Sequence, residues 1–198
     1  MKELFDQVAL KCSKLTTNSY STSFSLGIKF LDKSIHDEIY AIYGFVRFAD
    51  EIVDSFHDYF KKELLEEFKL ETWRAIERKI SLNPILNSYQ WVVNKYNIDH
   101  KLIESFLESM SMDLEEQVYD KTLYEKYILG SAEVVGLMCL KVFVNGSQEK
   151  YEKLKAPAMS LGSAFQKINF LRDLAQDSNE LNRSYFPQLQ KQTLNPEI

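Results

Sequence analysis

Asn169, Asp173 and Asp177 recur at every fourth position in the segment NFLRDLAQD. On an α-helix this spacing places three side chains one above another on a single face. An amide oxygen and two carboxylates are hard ligands of the kind that bind Mg²⁺ or Mn²⁺. Gln166 lies three residues earlier and extends the face. An isolated pair of this spacing usually marks a solvated helix face, but here the intervening residues are largely apolar, which predicts a helix buried on several sides.

A second pair of carboxylates with the same spacing, Asp50 and Asp54, ends a run that is almost wholly apolar from Ile39 to Ala49. Arg47 precedes Asp50 by three residues and shares its face. Carboxylates at the end of a buried helix are costly unless a cation compensates them. Two such helices facing each other would form a cavity of four carboxylates, whose repulsion divalent ions relieve. Such ions complete their shells with water and phosphate, so the pattern predicts a helical pocket for a diphosphate.

The composition predicts one all-helical domain over residues 1–198. Hydrophobic residues make up 45% of the chain and charged residues 27%, which is enough apolar material for a core. Gly 6 and Pro 4 are few, which favours long helices over a turn-rich β fold. Apolar periodicity predicts helices over 3–15, 34–54, 64–80, 84–96 and 123–144, another beginning at 99, and a last one that carries 166–177.

Local signals predict several helix ends and faces. The first helix should turn these residues toward the core: Leu4, Phe5, Val8 and Leu15. A polar turn is expected over 16–20, and Ser34 is expected to cap the next helix. Pro157 should mark the start or an early bend of the last helix. A solvated acidic turn is expected at Asp113, Glu115, Glu116 and Asp120.

Several classes of function are disfavoured by the sequence. A net charge of -5 gives no indication of nucleic-acid binding. Cys12 and Cys139 form no disulfide framework, and no apolar run reaches the length of a membrane span. With no secretory pattern at the N-terminus, we expect a cytoplasmic protein. His57 follows Asp54 by three residues, but the paired Glu-x-x-His signature of di-iron bundles is missing.

Four ordered blocks resemble the squalene/phytoene synthase family of head-to-head prenyl-diphosphate synthases. The blocks are YSTSFSLG at Tyr20–Gly27, IYGFVRFADEIVD at Ile42–Asp54, YILGSAEVVGLM at Tyr127–Met138, and FQKINFLRDLAQD with RSYFP at Phe165–Pro187. They correspond to the family's Ser-x-Ser-Phe block, its first Asp motif with the preceding Tyr and Arg, its small-residue segment, and its second Asp motif with Arg-x-Tyr-x-Pro. The resemblance covers nearly the whole chain and implies the all-α class I isoprenoid synthase bundle around a central cavity.

The resemblance assigns roles to individual residues. The implied catalytic residues are Tyr43, Arg47, Asp50, Asp54, Asp173 and Asp177. The implied metal ligands are Asp50, Asp54, Asn169, Asp173 and Asp177. The implied substrate-binding residues are Ser21, Ser23, Arg47, Tyr127, Ala132, Val135, Gly136, Gln166, Arg172 and Tyr185. Two groups of the substrate-binding residues have a structural alternative. The serines also suit an N-cap, and the small residues also suit close helix packing. Asp113 is a secondary candidate.

By the same resemblance we expect Mg²⁺-dependent condensation of two prenyl diphosphates, with Mn²⁺ as a substitute ion. Geranylgeranyl diphosphate giving phytoene, as in bacterial phytoene synthases, is favoured. The alternative is a squalene or dehydrosqualene synthase that uses farnesyl diphosphate, with NADPH needed only for squalene. A monomer or weak homodimer is expected, with peripheral contact at the inner membrane surface for release of a lipid product.

Two departures from the family pattern bear on these expectations. Relatives continue past the Arg-x-Tyr-x-Pro block through several more helices, so we expect a chain that lacks the last helices of the family. Asp32 also stands where relatives usually place Pro. A non-enzymatic assembly or interaction member of the family is a further alternative, although such proteins usually lose the Asp ligands that are retained here.

Overall fold

The computed structural model describes residues 1–115 and 120–179, with side chains described as far as Leu171. Its α-helices are α1 Lys2–Tyr20, α2 Thr22–Lys29, α3 His36–Asp54, α4 Lys61–Arg78, α5 Pro84–Tyr96, α6 His100–Met112, α7 Lys121–Ile128, α8 Val134–Phe143 and α9 Gln148–Asn179. A 3₁₀ turn, Lys33–Ile35, precedes α3, and a π-helical segment, Leu129–Glu133, joins α7 to α8. These ranges contain no β-strand.

The helix α3 lies at the centre of the bundle and contacts α1, α4, α5, α6 and α8. Phe45 is fully buried on α3. Its ring stacks on Tyr89 of α5 with centroids 3.8 Å apart, and the rings of Phe68 and Phe106 lie 5.5 and 5.4 Å away. Stacked rings at these distances add to the free energy gained by burying apolar area. The aromatic cluster therefore fixes the middle of α3 against α4, α5 and α6.

An ion pair between buried Glu38 and exposed Lys95 holds the first turn of α3. The Glu38 side chain is only 2% exposed, and its Oε1 accepts hydrogen bonds from Lys95 Nζ at 2.7 Å and Tyr96 Oη at 3.1 Å. A buried carboxylate is tolerated because both partners donate to it. Together with the aromatic cluster, this pair restrains how far α3 can slide or rotate against α5.

The predicted ends of three helices are confirmed, and local capping residues account for them. Asn83 caps α5 by accepting from the backbone N–H of Ile85 and Leu86, and Pro84 occupies the first helical position. Asp99 caps α6 in the same way. After α8, Asn145 and Gly146 adopt positive φ angles of 50° and 73°, a conformation that ends helices.

The predicted core face of α1 was largely wrong, as was the polar turn after it. The helix continues to Tyr20, and its buried residues are the small ones: Ala9, Ser13 and Thr17. Leu4, Val8 and Leu15 are instead 63%, 47% and 67% exposed. The reason is close helix packing. Ser13 Oγ lies 2.6 Å from Ser88 Oγ of α5, and a Cβ at Gly44 of α3 would lie 2.9 Å from Ser13 Oγ.

The turn before α3 is capped by Asp32, whereas Ser34 was predicted to cap the helix. Asp32 Oδ1 accepts hydrogen bonds from Ser34 N at 2.8 Å and Ser34 Oγ at 2.6 Å. These bonds, from the Ser34 hydroxyl first and its backbone N–H second, lower the pKa of Asp32. Asp32 thus starts the 3₁₀ turn that leads into α3.

The two long helices near the C-terminal end also differ from prediction. The span predicted as one helix over 123–144 contains the wider π-helical turn at Leu129–Glu133. The last helix, α9, begins at Gln148, so Pro157 lies inside it and does not mark its start. No helix within the described ranges combines the length and the hydrophobicity that a membrane span requires.

Gly130→Ala is expected to destabilise the protein, because a Cβ at this position would lie 2.6 Å from the carbonyl oxygen of Ser105 and 2.7 Å from Ser109 Cβ. Backbone atoms cannot yield as a flexible side chain does, so the free energy of unfolding should fall by about 1–3 kcal/mol. Urea denaturation measures the change.

The matched control is Gly27→Ala, since a Cβ at Gly27 would meet nothing within 4 Å and Gly27 lies inside α2. Alanine has the higher helix propensity, so this variant should be unchanged or more stable by up to about 1 kcal/mol. Equal effects of the two substitutions would contradict the packing described for the π-helical segment.

Candidate active site

The predicted catalytic residues of α3 extend from the middle of the helix to its C-terminal end. Tyr43, Arg47, Asp50 and Asp54 are each partly buried, whereas the opposite face of α3 is anchored in the core. Burial, and then the negative charge of Asp54, raise the pKa of Asp50 to about 7, while Arg47 acts in the opposite direction. Asp50 therefore sits where its own ionisation is disfavoured by desolvation and by like charge.

Asp113 belongs to this cluster, although the sequence placed it in a solvated turn. Its side chain is buried at the end of α6, and its Oδ2 accepts a hydrogen bond from Tyr127 Oη at 2.9 Å. Its negative charge contributes to the raised pKa of Asp50. The signal for this position was present in the sequence, because Asp113 follows Met110 by three residues and continues the inner face of α6.

The junction of α1 and α2 lies beside Tyr43, the first of the predicted catalytic residues on α3. Ser21 caps α2 by accepting from the backbone N–H of Phe24 at 3.1 Å, and its Oγ lies 3.5 Å from Ser23 Oγ. The Tyr43 ring stacks on Phe24 with centroids 4.5 Å apart. Burial raises the pKa of Tyr43, while Ser21 acts to lower it. The N-cap role of Ser21 is thus observed, and it places the hydroxyl beside a predicted catalytic residue.

The π-helical segment forms a wall between α6 and α9. Tyr127 is 5% exposed, and Ala132, Val135 and Gly136 are half-buried. Small residues allow α9 to approach closely: a Cβ at Gly162 would lie 3.0 Å from the Ala132 carbonyl oxygen, and one at Gly136 would lie 3.5 Å from that of Ala158. The packing alternative for this segment is therefore observed. Contact of the same residues with a prenyl chain stays a prediction.

We call Arg47, Asp50 and Asp54 of α3, together with Asp113, the α3 cluster. A chain of contacts joins α9 to this cluster. Asn169 is half-buried on α9 beside Phe170, whose ring centroid lies 6.0 Å from that of Tyr127. Tyr127 donates to Asp113, whose charge acts on Asp50. Gln166 is also half-buried, one turn earlier on α9. The first part of the predicted second motif is thus linked to the first motif through α6 and α7.

Four predicted site residues lie wholly or partly outside the described residues. The backbone of Arg172, Asp173 and Asp177 continues α9, but their side chains are not among those described, and Tyr185 lies beyond the described ranges. Among the side chains that are described, no three Asp, Glu, His or Cys residues come together as a metal site. The roles of Arg172, Asp173, Asp177 and Tyr185 stay predictions. So does the central cavity between the two acidic pairs.

The residues of the α3 cluster fit a divalent ion. Asp50 and Asp54 offer hard oxygen donors, and the charges of Asp54 and Asp113 oppose the ionisation of Asp50. A cation among these carboxylates would remove the repulsion that raises the pKa of Asp50. Arg47 is the positive group that already acts on Asp50, and its ion-pair partner is Glu51.

In the metal-free protein, Asp50→Asn is expected to raise the melting temperature at about pH 8 and to raise it less at about pH 5. The folded pKa of Asp50, about 7, lies above its ordinary value of 3.8. Ionisation of Asp50 therefore removes stability progressively as the pH rises through this window, and the full penalty applies above it. Thermal melts in EDTA at the two pH values test this.

Asp58→Asn is the control, because Asp58 is exposed in the turn after α3. It should show no gain that grows with pH. A gain from Asp50→Asn that is the same at both pH values would contradict the electrostatic origin.

Comparison with known proteins bears on the family and the fold of this chain. The squalene/phytoene synthase family model matches residues 17–196. Phytoene synthase 1 from Arabidopsis thaliana is 28% identical over 94% of this chain and 43% of its own length. The presqualene diphosphate synthase of Rhodopseudomonas palustris is 26% identical over 84% of this chain and 58% of its own. The chain thus spans about half the length of the curated relatives it matches.

A crystal structure of a dehydrosqualene synthase in complex with a ligand superposes with a TM-score of 0.78 at 24% identity, over 91% of this chain and 61% of that one. This likeness concerns the fold and confirms the all-α isoprenoid synthase architecture. The family match extends over most of the sequence and includes both acidic motifs. The chain therefore belongs to the squalene/phytoene synthase family.

Proposed function

We propose that the protein catalyses the Mg²⁺-dependent head-to-head condensation of two prenyl diphosphates. The observation that carries this proposal is the α3 cluster, in which Asp50 and Asp54 lie beside Arg47 and the charge of Asp113 adds to the repulsion. A diphosphate with divalent ions complements such a site, because the ions satisfy the carboxylates and the arginine meets the diphosphate. Family membership supports the same reaction type.

Geranylgeranyl diphosphate is the proposed substrate, with phytoene as the product. The matched relatives include phytoene synthases and a presqualene diphosphate synthase, so their names give two different products. The alternative for this chain is condensation of farnesyl diphosphate to squalene or dehydrosqualene. NADPH would take part only in the squalene reaction.

The residues of both acidic motifs have distinct proposed tasks. Asp50 and Asp54, with Asn169, Asp173 and Asp177, hold Mg²⁺. A bound divalent ion supplies charge neutralisation at the leaving diphosphate as its C1–O bond breaks. Arg47 and Arg172 contact the diphosphate oxygens, and Ser21 and Ser23 add donors at the N-terminus of α2. Burial raises the pKa of Tyr43, which lies near enough to Ser21 and Arg47 that both act to lower it.

The remaining steps depend on an apolar wall. The allyl cation adds to a double bond of the second substrate, and loss of a proton closes the ring of a cyclopropylcarbinyl diphosphate. This intermediate then loses its own diphosphate and rearranges, and the resulting cation either loses a proton or accepts a hydride. Water would trap either cation as an alcohol, so the chains must be enclosed. The residues proposed to enclose and orient them are Tyr127, Ala132, Val135, Gly136, Gln166 and Tyr185. We place the reaction in the cytoplasm, in a monomer or weak homodimer that releases its lipid product at the inner membrane surface.

Incubation of the protein with Mg²⁺ and either the C20 or the C15 prenyl diphosphate should yield a hydrocarbon from one of them. Chromatography of the lipid extract identifies the product and so distinguishes phytoene from the squalene-type products. A protein that binds both substrates and returns them unchanged would support the non-enzymatic alternative.

Asp50→Asn and Asp173→Asn should each lower single-turnover product formation by orders of magnitude, since they remove charge that acts on the leaving group. The melting temperature should not fall, because a like charge has been removed. A structural role predicts the opposite order, with folding lost first and activity following the folded fraction. Asp58→Asn serves as the control, and turnover near that of the unmodified protein in both variants would refute the mechanism.

A further inference from the structure

The guanidinium of Arg47 is held from two directions. Glu51, one turn further along α3, forms an ion pair with Nη2 through its Oε2. The ring of Tyr20, the last residue of α1, lies against the guanidinium with its centroid 4.4 Å from Cζ. The Arg47 and Glu51 side chains are 26% and 18% exposed, so water screens their pairing only in part. Arg47 is therefore not a freely moving surface arginine.

This arrangement leaves one donor of Arg47 without a partner. The Nε atom is buried and makes no hydrogen bond to any residue that the structure describes. A buried N–H without an acceptor is unfavourable, and folded proteins rarely leave one in place without a reason. The position that Arg47 takes beside Glu51 is thus not the one that satisfies all its donors.

The two contacts of Arg47 differ in what they leave available. Cζ of Arg47 lies over the Tyr20 ring, and in this contact Tyr20 accepts no N–H of the guanidinium, whose donors lie in the guanidinium plane along its edges. Glu51 occupies an edge, which is the part that a diphosphate oxygen would need. An incoming diphosphate can therefore replace Glu51 while Tyr20 stays in place.

The surrounding charges favour such a replacement. Burial alone would lower the pKa of Arg47, but the hydrogen bond to Glu51 and the charges of Asp50 and Glu51 raise it above its ordinary value. Arg47 is thus firmly cationic and attracts anions. Glu51 also raises the pKa of Asp50, so it carries negative charge into the region where the diphosphate is proposed to bind.

We infer that Glu51 is the resting partner of Arg47 and is exchanged for a diphosphate when the ligand binds, while Tyr20 guides the guanidinium through the exchange. The inference rests on the proposed function, since it assumes a diphosphate at the α3 cluster. Glu51 is then a positioning residue that competes with the diphosphate for Arg47. It keeps the Arg47 guanidinium paired until the diphosphate binds.

A double-mutant cycle on ligand binding tests the exchange. Isothermal titration calorimetry of the 198-residue chain with inorganic pyrophosphate and Mg²⁺ gives Kd for the unmodified protein, Glu51→Gln, Arg47→Gln and the double variant. Glu51→Gln should tighten binding by about tenfold when Arg47 is present and should have little effect in the Arg47→Gln background. Glu51→Asp, which keeps the charge on a shorter side chain, should fall in between.

Glu67→Gln on the exposed side of α4 is the control for removing one negative charge, and it should leave Kd unchanged. An equal tightening by Glu51→Gln in both Arg47 backgrounds would show a general charge effect and overturn the exchange. Weaker binding in Glu51→Gln would show that Glu51 holds Arg47 in its ligand-bound position, which also overturns it. Melting temperatures confirm that each variant is folded.

The cycle separates failure of the exchange from failure of the proposed function. Product formed from a prenyl diphosphate, together with no coupling between Glu51 and Arg47 in the cycle, would leave the function standing and remove the exchange. Coupling in the cycle without any product would support the exchange and contradict the condensation reaction. No binding of pyrophosphate with Mg²⁺ to the unmodified protein would overturn the exchange.

Discussion

The constraint on which the rest of the structure depends is that α3 must be buried along most of its length and yet carry charge at one end. Its middle is fixed by the ring stack around Phe45, and its first turn by the pair of Glu38 and Lys95. With both regions fixed, little freedom remains for the direction of the side chains that follow. Packing in the apolar core therefore determines the positions of the site residues on α3.

The end of α3 carries more negative charge than positive charge. The carboxylates of Asp50 and Asp54 repel each other, the charge of Asp113 adds to this, and Arg47 is already paired with Glu51. Net negative charge in a partly buried site costs folding free energy that the core must offset. The same imbalance is what would make binding of a multivalent cation favourable, so stability and affinity are opposed in this part of the molecule.

What the sequence predicted well was encoded locally. Asn83 with Pro84, and Asp99, act within their own helices, so a short segment is enough to recognise them. The apolar faces of α4 and α6 were also recognisable from periodicity, with Leu65, Phe68 and Ile103 buried as expected. The grouping of Tyr43, Arg47 and Asp50 on one helix followed from spacing alone.

What the sequence could not predict depends on partners far along the chain. The face of α1 that is buried is set by Ser88 and Gly44, and the large residues of α1 were misleading because a close approach requires small ones. The inner face of α6 points to Asp113, but its hydrogen-bond partner Tyr127 lies on the next helix and no local pattern indicates it. The contact of Tyr20 with Arg47 joins the end of one helix to the middle of another.

The π-helical segment has a consequence for the phase of the helix around it. A π-turn uses more residues per turn than an α-helix, so the residues after it are rotated about the axis relative to an uninterrupted helix. Tyr127 before the segment faces Asp113, and Met138 after it receives the hydroxyl of Tyr89 in the core. If the same number of residues formed a regular α-helix, Met138 would be turned by about 100°, the rotation of one residue, away from Tyr89. The wide turn thus sets the rotation of the helix about its axis, so that the side chains before it face the site and those after it face the core.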